Sequence, residues 1–440
     1  MSIAAKDLRA HLANMVQRGE CFRVEKSVDR KAEAPSLISS SIKRGKTILF
    51  ENISGSDMPI VGNVIGSKKL LEQALDCEHQ GLASWFGERS HQLIRPVCVR
   101  GASVQDVVED NVDLMQLPIP TLHEEDAGPY ITAGVCIQKD PETGAQNAGY
   151  YSLQLKGKSR LGLRMLQSTH GYAIFQKRLR RGLRTEMAVA IGLHPIEMLA
   201  AASHVPGDEF ALAGGLRGEP VELVRCVGLD LEVPAHAEII LEGTILPDVM
   251  EPEGPIGDWL GYYPLVENRH IFEVERITRR HDAIFQTVLS GSAEENLLLS
   301  IPRTADVLRA SRKAVPGVIG ASLDPFLPIC VIQLRKQFDG EPMNALLAAL
   351  GEVPFIKIGI AVDEDVDLSS LTDVLWAVTT RTNLDEDINV IRNVMGFSRD
   401  PFDRYKSKMV IDATAPLAAR THFRRSRVAN ANIALESFLD

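Results

Sequence analysis

Between Ile131 and Ile277 short apolar runs recur at close intervals, broken by Gly, Pro and polar clusters. This rhythm constrains the fold more than any other feature of the chain. The runs are Ala133–Gln138, Tyr150–Leu155, Ala188–Ile191, Glu222–Arg225, Glu238–Glu242 and His270–Ile277. Many short strands separated by turn residues predict a β core of barrel-like or sandwich form. One helix candidate interrupts them, around Pro195–Ala202. The flanks read differently. Residues 5–18 place Leu8, Leu12 and Val16 four apart, the spacing of an amphipathic helix. Thr47–Phe50 and Ile60–Val64 read as strands, and Lys68–Leu82 as a helix. Beyond a helical connector, Ser300–Ala314, strand and helix alternate through Ile329–Leu334, Met343–Leu350, Phe355–Ala361 and Leu371–Thr380. That alternation marks a smaller α/β layer. The expected fold is mixed α/β (α+β). It has an N-terminal α/β region (1–115), a split β-barrel-like domain (116–299), a connector helix (300–320) and a C-terminal α/β domain (321–440). A final helix is expected around Val428–Leu439.

The charge balance narrows the partners. The chain of 440 residues carries a formal net charge of −10, with no basic block. This argues against nucleic acid and against an anionic membrane surface. No apolar run approaches the roughly 18 residues of a membrane span, and no apolar signal core follows the charged N-terminus. Cys21, Cys77, Cys98, Cys136, Cys226 and Cys330 are scattered without a CxxC pair. They read as ordinary thiols of a reducing compartment, and the expected location is cytoplasmic.

Chemistry concentrates in Glu251-Pro252-Glu253-Gly254-Pro255-Ile256-Gly257-Asp258-Trp259, with Tyr262 and Tyr263 following. Gly and Pro break both helix and strand, which predicts a shaped loop. Two carboxylates on such a loop, Glu253 and Asp258, suit acid–base work beside a flat substrate or cofactor. The plainer alternative is a surface turn with solvated acids. Asn147 follows the turn Asp140-Pro141-Glu142-Thr143-Gly144 and His170 precedes a glycine; each has an ordinary structural reading. Glu209 enters an apolar run, so it should meet a cation or a donor. Together Asn147, His170 and Glu209 form a donor set suited to Mn2+ or Mg2+ with phosphate oxygens.

Further motifs run along nearly the whole chain: Leu49-Phe50-Glu51-Asn52, Met58-Pro59-Ile60-Val61-Gly62-Asn63, Asp126-Ala127-Gly128-Pro129-Tyr130-Ile131-Thr132, Leu216-Arg217-Gly218-Glu219-Pro220, Asp230-Leu231-Glu232-Val233-Pro234-Ala235, Ser407-Lys408-Met409 and Asp412-Ala413-Thr414. With the acid loop, this series resembles the UbiD-type decarboxylases, which use prenylated FMN. The resemblance implies that the β domain binds flavin. It implies that Asn147, His170 and Glu209 bind a divalent metal at the cofactor phosphate, alongside a monovalent cation such as K+, and that Lys408 reaches the same phosphate. The family's catalytic acids fall on Glu253 and Asp258.

The family's catalytic Arg falls on Ser152, a cofactor-side position where Tyr-Arg-x-Gln has become Tyr151-Ser152-Leu153-Gln154. Serine cannot act as a bidentate carboxylate clamp, which leaves Glu253 without its usual partner. Arg160 and Arg164 are the nearest substitutes, and their even spacing puts both on one strand face. The implied activity is reversible, non-oxidative decarboxylation of an aromatic, heteroaromatic or α,β-unsaturated acid, with Asp258 returning the proton and Glu253 orienting the site. The alternative is a non-catalytic, cofactor-holding subunit of a multi-component carboxylase. A flavin prenyltransferase as cofactor supplier and a homo-oligomer, dimer or hexamer, are also implied.

Overall fold

The β-rich middle of the chain forms one curled, half-barrel sheet in the computed structural model. The structure describes residues 6–75, 77, 81–204, 208–324, 326–396 and 407–426. The helix expected around Val428–Leu439 lies outside them. The sheet's nine strands are β1 (Val107–Glu109), β2 (Tyr130–Ile131), β3 (Val135–Lys139), β4 (Gln146–Tyr150), β5 (Ser152–Leu155), β6 (Arg160–Arg164), β7 (Thr185–Ile191), β8 (Ile239–Glu253) and β9 (Glu267–Arg279). Their order is β2-β5-β6-β9-β8-β7-β3-β4, with β1 added on β9.

Alternation explains why this sheet carries apolar residues on both sides. Val189, Ile191, Leu241 and Phe272 enter one buried cluster, while Ala188, Ala190, Val135 and Ile240 enter another. Successive side chains of a strand point to opposite faces, so each strand feeds two cores. The long β8–β9 pair is bent by register shifts at Glu242/Gly243 and Leu246/Met250, as bulges do. Gly243 is obligatory there, since a Cβ would stand 2.0 Å from the Glu273 carbonyl oxygen.

Three helices cover the β3–β4 end: α1 (His170–Arg180), α2 (Pro195–Ala201) and α3 (Glu209–Arg217). Thr169 caps α1 by accepting from Tyr172 N at 3.3 Å, and Asp208 caps α3 by accepting from Phe210 N at 2.8 Å. The apolar pattern anticipated only α2. The run Tyr150–Leu155 is two strands, parted at Tyr151, and the helix expected over Lys68–Leu82 ends at Ala74, with a separate helix, Leu82–Arg89, starting where the expected one would stop. The segment expected as loop from Glu251 begins later: β8 continues through Glu253, paired with Glu267 of β9.

By internal contacts the chain forms two compact units, Met1–Ala305 and Asp306–Asp440. The first also holds a four-stranded sheet (Cys21–Val24, Thr47–Phe50, Ile60–Gly62, Phe285–Thr287) and a three-stranded one. The helix expected over Ser300–Ala314 starts earlier, at Ala293. The second unit is a five-stranded sheet, ordered Val318–Asp324, Ile329–Leu334, Ile358–Asp363, Ser407–Ala413, Ile388–Arg392. Helices Glu341–Glu352 and Leu371–Arg381 contribute to separate buried clusters on it. No disulfide joins the six cysteines. No described helix is long and apolar enough to cross a membrane.

Candidate active site

Glu253 is the last residue of β8 and is 0% exposed. Its Oε1 accepts from the Tyr130 hydroxyl at 3.1 Å, and its Oε2 meets Arg164 Nη1, also at 3.1 Å. Arg164 closes β6 directly opposite Ser152 of β5, and its side chain is only 4% exposed. Of the two readings of Ser152, a Glu253 without its partner or a substitute cation from Arg160 or Arg164, the structure has the second: Arg164 pairs with Glu253. The guanidinium arrives from the neighbouring strand. Arg160, on the same face of β6, pairs instead with Glu251 at 2.8 Å. A buried ion pair holds only when further hydrogen bonds satisfy its members, and Tyr130 supplies one. Burial, followed by the Glu253 charge, pushes the Tyr130 phenol well above its ordinary range, so it stays a donor. Gln154, from the same motif as Ser152, accepts from Gly254 N at 3.4 Å.

The connection 254–266 follows. Gly254 turns the chain at φ 97°, a left-handed conformation that glycine tolerates. Asp258 lies four residues on and is 7% exposed, so the loop does not present a solvated acid. A local turn holds its backbone: Asp258 N donates to Tyr262 O at 2.9 Å, and Gly261 N to Asp258 O at 2.8 Å. Of the three aromatics, Trp259 is half-buried, while Tyr262 and Tyr263 are 64% and 38% exposed. The Tyr263 hydroxyl accepts from Glu125 N at 3.2 Å.

A second cluster forms at the other end of the sheet order. Asn147 on β4 donates from Nδ2 to Glu209 Oε1 at 2.8 Å, and Ala148 N donates to Glu209 Oε2 at 2.8 Å. Glu209 is the first residue of α3 and is buried. It meets donors, and among the described residues no cation pairs with it. Burial pushes its carboxyl up to about 7, against the opposing pull of the Ala148 and Asn147 donors. A desolvated carboxylate without a countercharge, beside an amide oxygen, fits a divalent cation. His170 opens α1, which packs on β4 as α3 does, and its ring stacks on His204 with centroids 4.3 Å apart. Among the described residues no three His, Cys, Asp or Glu side chains gather as a ready metal cage. Of the three expected donors, Asn147 and Glu209 are in direct contact. Lys408 belongs to the second unit, where its buried ammonium donates to Leu350 O at 2.9 Å. Desolvation pulls it down to about 8.

Sequence reasoning missed the roles of Tyr130 and Asp126, which entered only as parts of a motif. Asp126 Oδ1 accepts from Gly257 N at 2.8 Å, inside the acid loop. The signal was the pairing of two Gly/Pro-rich motifs more than a hundred residues apart, without any indication that they touch.

Comparison with known proteins places this geometry. Three domains of 3-octaprenyl-4-hydroxybenzoate carboxy-lyase match in order: the N-terminal domain over residues 12–89, the Rift-related domain over 97–293 and the C-terminal domain over 296–413. The anhydromevalonate phosphate decarboxylase of Methanothermobacter thermautotrophicus is 33% identical over 420 residues, 92% of this chain and 96% of the relative. The UbiD-class enzyme HmfF of Pelotomaculum thermopropionicum, in complex with FMN, superposes with a TM-score of 0.92 at 35% identity, covering 98% of this chain and 100% of that one. An evolved dimeric form of the same enzyme, in complex with prFMN, gives 0.91 at 34% identity, covering 99% and 100%. The vanillic acid decarboxylase of Sedimentibacter hydroxybenzoicus gives 0.87 at 26% identity, covering 99% and 98%. The chain belongs to the UbiD family and is a decarboxylase, a carboxy-lyase built on that family's fold.

Proposed function

We propose that the protein catalyses the reversible, non-oxidative decarboxylation of an aromatic, heteroaromatic or α,β-unsaturated acid, using prenylated FMN and a divalent metal. The observation that carries this reading is the buried Arg164–Glu253–Tyr130 network, five residues before a second buried acid, Asp258. Loss of CO2 from an sp2 carbon leaves an electron pair that water cannot stabilise, and the modified flavin supplies the electron sink. The chain's own residues do the rest. Arg164 and Tyr130 fix Glu253 to order the polar side of the site, and Asp258 delivers the proton that replaces CO2. Asn147 and Glu209, joined by His170, would hold Mn2+ or Mg2+ at the cofactor phosphate, and K+ would complete its charge balance. A flavin prenyltransferase would supply the cofactor, and the active form would be a homo-oligomer.

The names of the relatives support two substrate classes, one a phosphorylated acid and one an aromatic acid. The competing reading, a cofactor-holding subunit without catalysis, drew its support from Ser152. It loses that support because Arg164 provides a cation to Glu253. The test is to co-express the chain with a flavin prenyltransferase, identify the bound flavin by mass spectrometry, and assay CO2 release from aromatic and alkenyl acids with and without phosphate. Release from at least one acid, lost in Asp258→Asn, is the expected result. Full cofactor loading with no release from any acid would favour the holding subunit.

A further inference from the structure

The connection 254–266 is long and contains three glycines, yet it buries its acid. Its anchorage comes from residues 122–130. The Asp126 carboxylate accepts from Gly257 N through Oδ1 at 2.8 Å, and from Leu122 N and His123 N through Oδ2 at 3.1 and 2.9 Å. Next to it, Ala127 N donates to Pro255 O at 2.8 Å. The His123 ring flanks the same carboxylate, with Nδ1 3.7 Å from Oδ2, an ion-pair distance too long for a direct hydrogen bond. That ring also lies against the loop backbone. A Cβ added at Gly257 would stand 2.4 Å from Nδ1, 2.5 Å from Cγ and 2.8 Å from Cε1 of His123. Gly257 immediately precedes Asp258, so whatever fixes the Gly257 peptide fixes the origin of the Asp258 side chain.

The electrostatics agree with the geometry. Burial opposes ionisation of Asp126, but the His123 ring and the amides of Gly257 and His123 hold it below the usual carboxylate range. Asp126 in turn holds His123 above the usual imidazole range, against burial, with lesser help from the Ser290 carbonyl and Glu295. A charge-assisted acceptor holding a backbone N–H is stronger than a neutral one.

We propose that His123 and Asp126 are positioning residues for Asp258: one holds the Gly257 amide by hydrogen bond, the other bears on the Gly257 backbone by contact. The inference rests on Asp258 as the proton donor proposed above. A misplacement of about 1 Å at a reacting group can cost about 100-fold in rate. Because Asp258 acts on a substrate already bound, its misplacement lowers kcat and leaves KM nearly unchanged, which a general loss of fold would not do.

The experiment has two arms. In the first, hydrogen exchange is measured on the whole purified chain. His123→Ala and Asp126→Asn should raise exchange in the peptide containing Gly257 and Asp258, without raising it in β7. Unchanged exchange in that peptide overturns the clamp, whatever the enzyme turns over. In the second, the cofactor-loaded enzyme is assayed on an acid the wild type converts. His123→Ala, Asp126→Asn and Gly257→Ala should each lower kcat by about 10- to 100-fold, with KM within about threefold. Adding Gly257→Ala to His123→Ala should cost little more than His123→Ala alone, because the atoms its Cβ would meet are gone. Additive losses, or losses shared equally by kcat and thermal stability, overturn the positioning role. No conversion by loaded wild type while exchange reveals the clamp refutes the decarboxylase reading, and the catalytic purpose of the clamp with it.

Discussion

Replacing Arg164 by Met removes the guanidinium and keeps much of its apolar stem. Glu253 is then a fully buried carboxylate with Tyr130 and no countercharge, since Ser152 stands at the facing position. Breaking a buried pair from one side costs about 3–5 kcal/mol, a large part of the ~5–15 kcal/mol that separates a typical native state from its unfolded chain. Glu253→Gln in the same background should recover much of that loss, because no uncompensated charge remains. Arg164→Lys should fall between, having charge without the planar fork. The assay is urea unfolding followed by tryptophan fluorescence, with turnover measured alongside. Turnover should fall in all three. Restoring the family residue also becomes a sharp test. Ser152→Arg alone puts a second guanidinium on the cross-strand neighbour of Arg164, where like charges repel, so it should lower turnover. Combined with Arg164→Ser, it should recover part of the lost activity. An Arg164→Met variant that loses less than about 1 kcal/mol and turns over normally would refute the reasoning.

Three further outcomes are expected. Glu294 is fully buried, accepts from Ile65 N at 3.1 Å, and is pushed up to about 7, chiefly by burial. A carboxyl raised on folding binds its proton more tightly in the native state, so its contribution falls as pH rises from the unfolded value through about 7. The stability of wild type relative to Glu294→Gln should therefore decline by about 2.5 kcal/mol between pH 5 and pH 8 in denaturant titrations; a pH-independent difference would oppose this. Glu209→Gln should abolish manganese binding, read by elemental analysis of purified protein, with the fold retained by circular dichroism. Gly215→Ala should yield little folded protein by expression and thermal melting, because its Cβ would stand 1.8 Å from the Gln92 carbonyl oxygen.

The strands Thr47–Phe50, Glu222–Arg225 and Ile329–Leu334 were readable to the residue, because turn or polar residues bound each apolar run. The far half of β8 was not. Residues 246–253 set three acids among Leu246, Val249 and Met250 without alternation and carry Pro247 and Pro252, so nothing local marks a strand; pairing with β9 across a bulge imposes it. Helix α3 was hidden by Gly214-Gly215, poor helix formers that are present because Gln92 and Ile94 carbonyls approach there. Helix α1 was hidden by Gly171 in its first turn, a poor helix former that stands where the Tyr151 hydroxyl and Gln138 approach. Even spacing made Arg160 and Arg164 candidates, but choosing between them needed the register of β5, β6 and β8, which one sequence does not contain. The contact between Asn147 and Glu209 is likewise tertiary, made where α3 settles on β4.

The most direct test of the account is decarboxylation by the cofactor-loaded enzyme in D2O, with deuterium located in the product by NMR. The account predicts a single deuteron at the carbon that carried the carboxyl group, with product formation lost in Asp258→Asn. Undiminished, normally deuterated product from Asp258→Asn would contradict the role assigned to that acid. No product from any acid, with prenylated FMN and metal bound, would contradict the proposed activity.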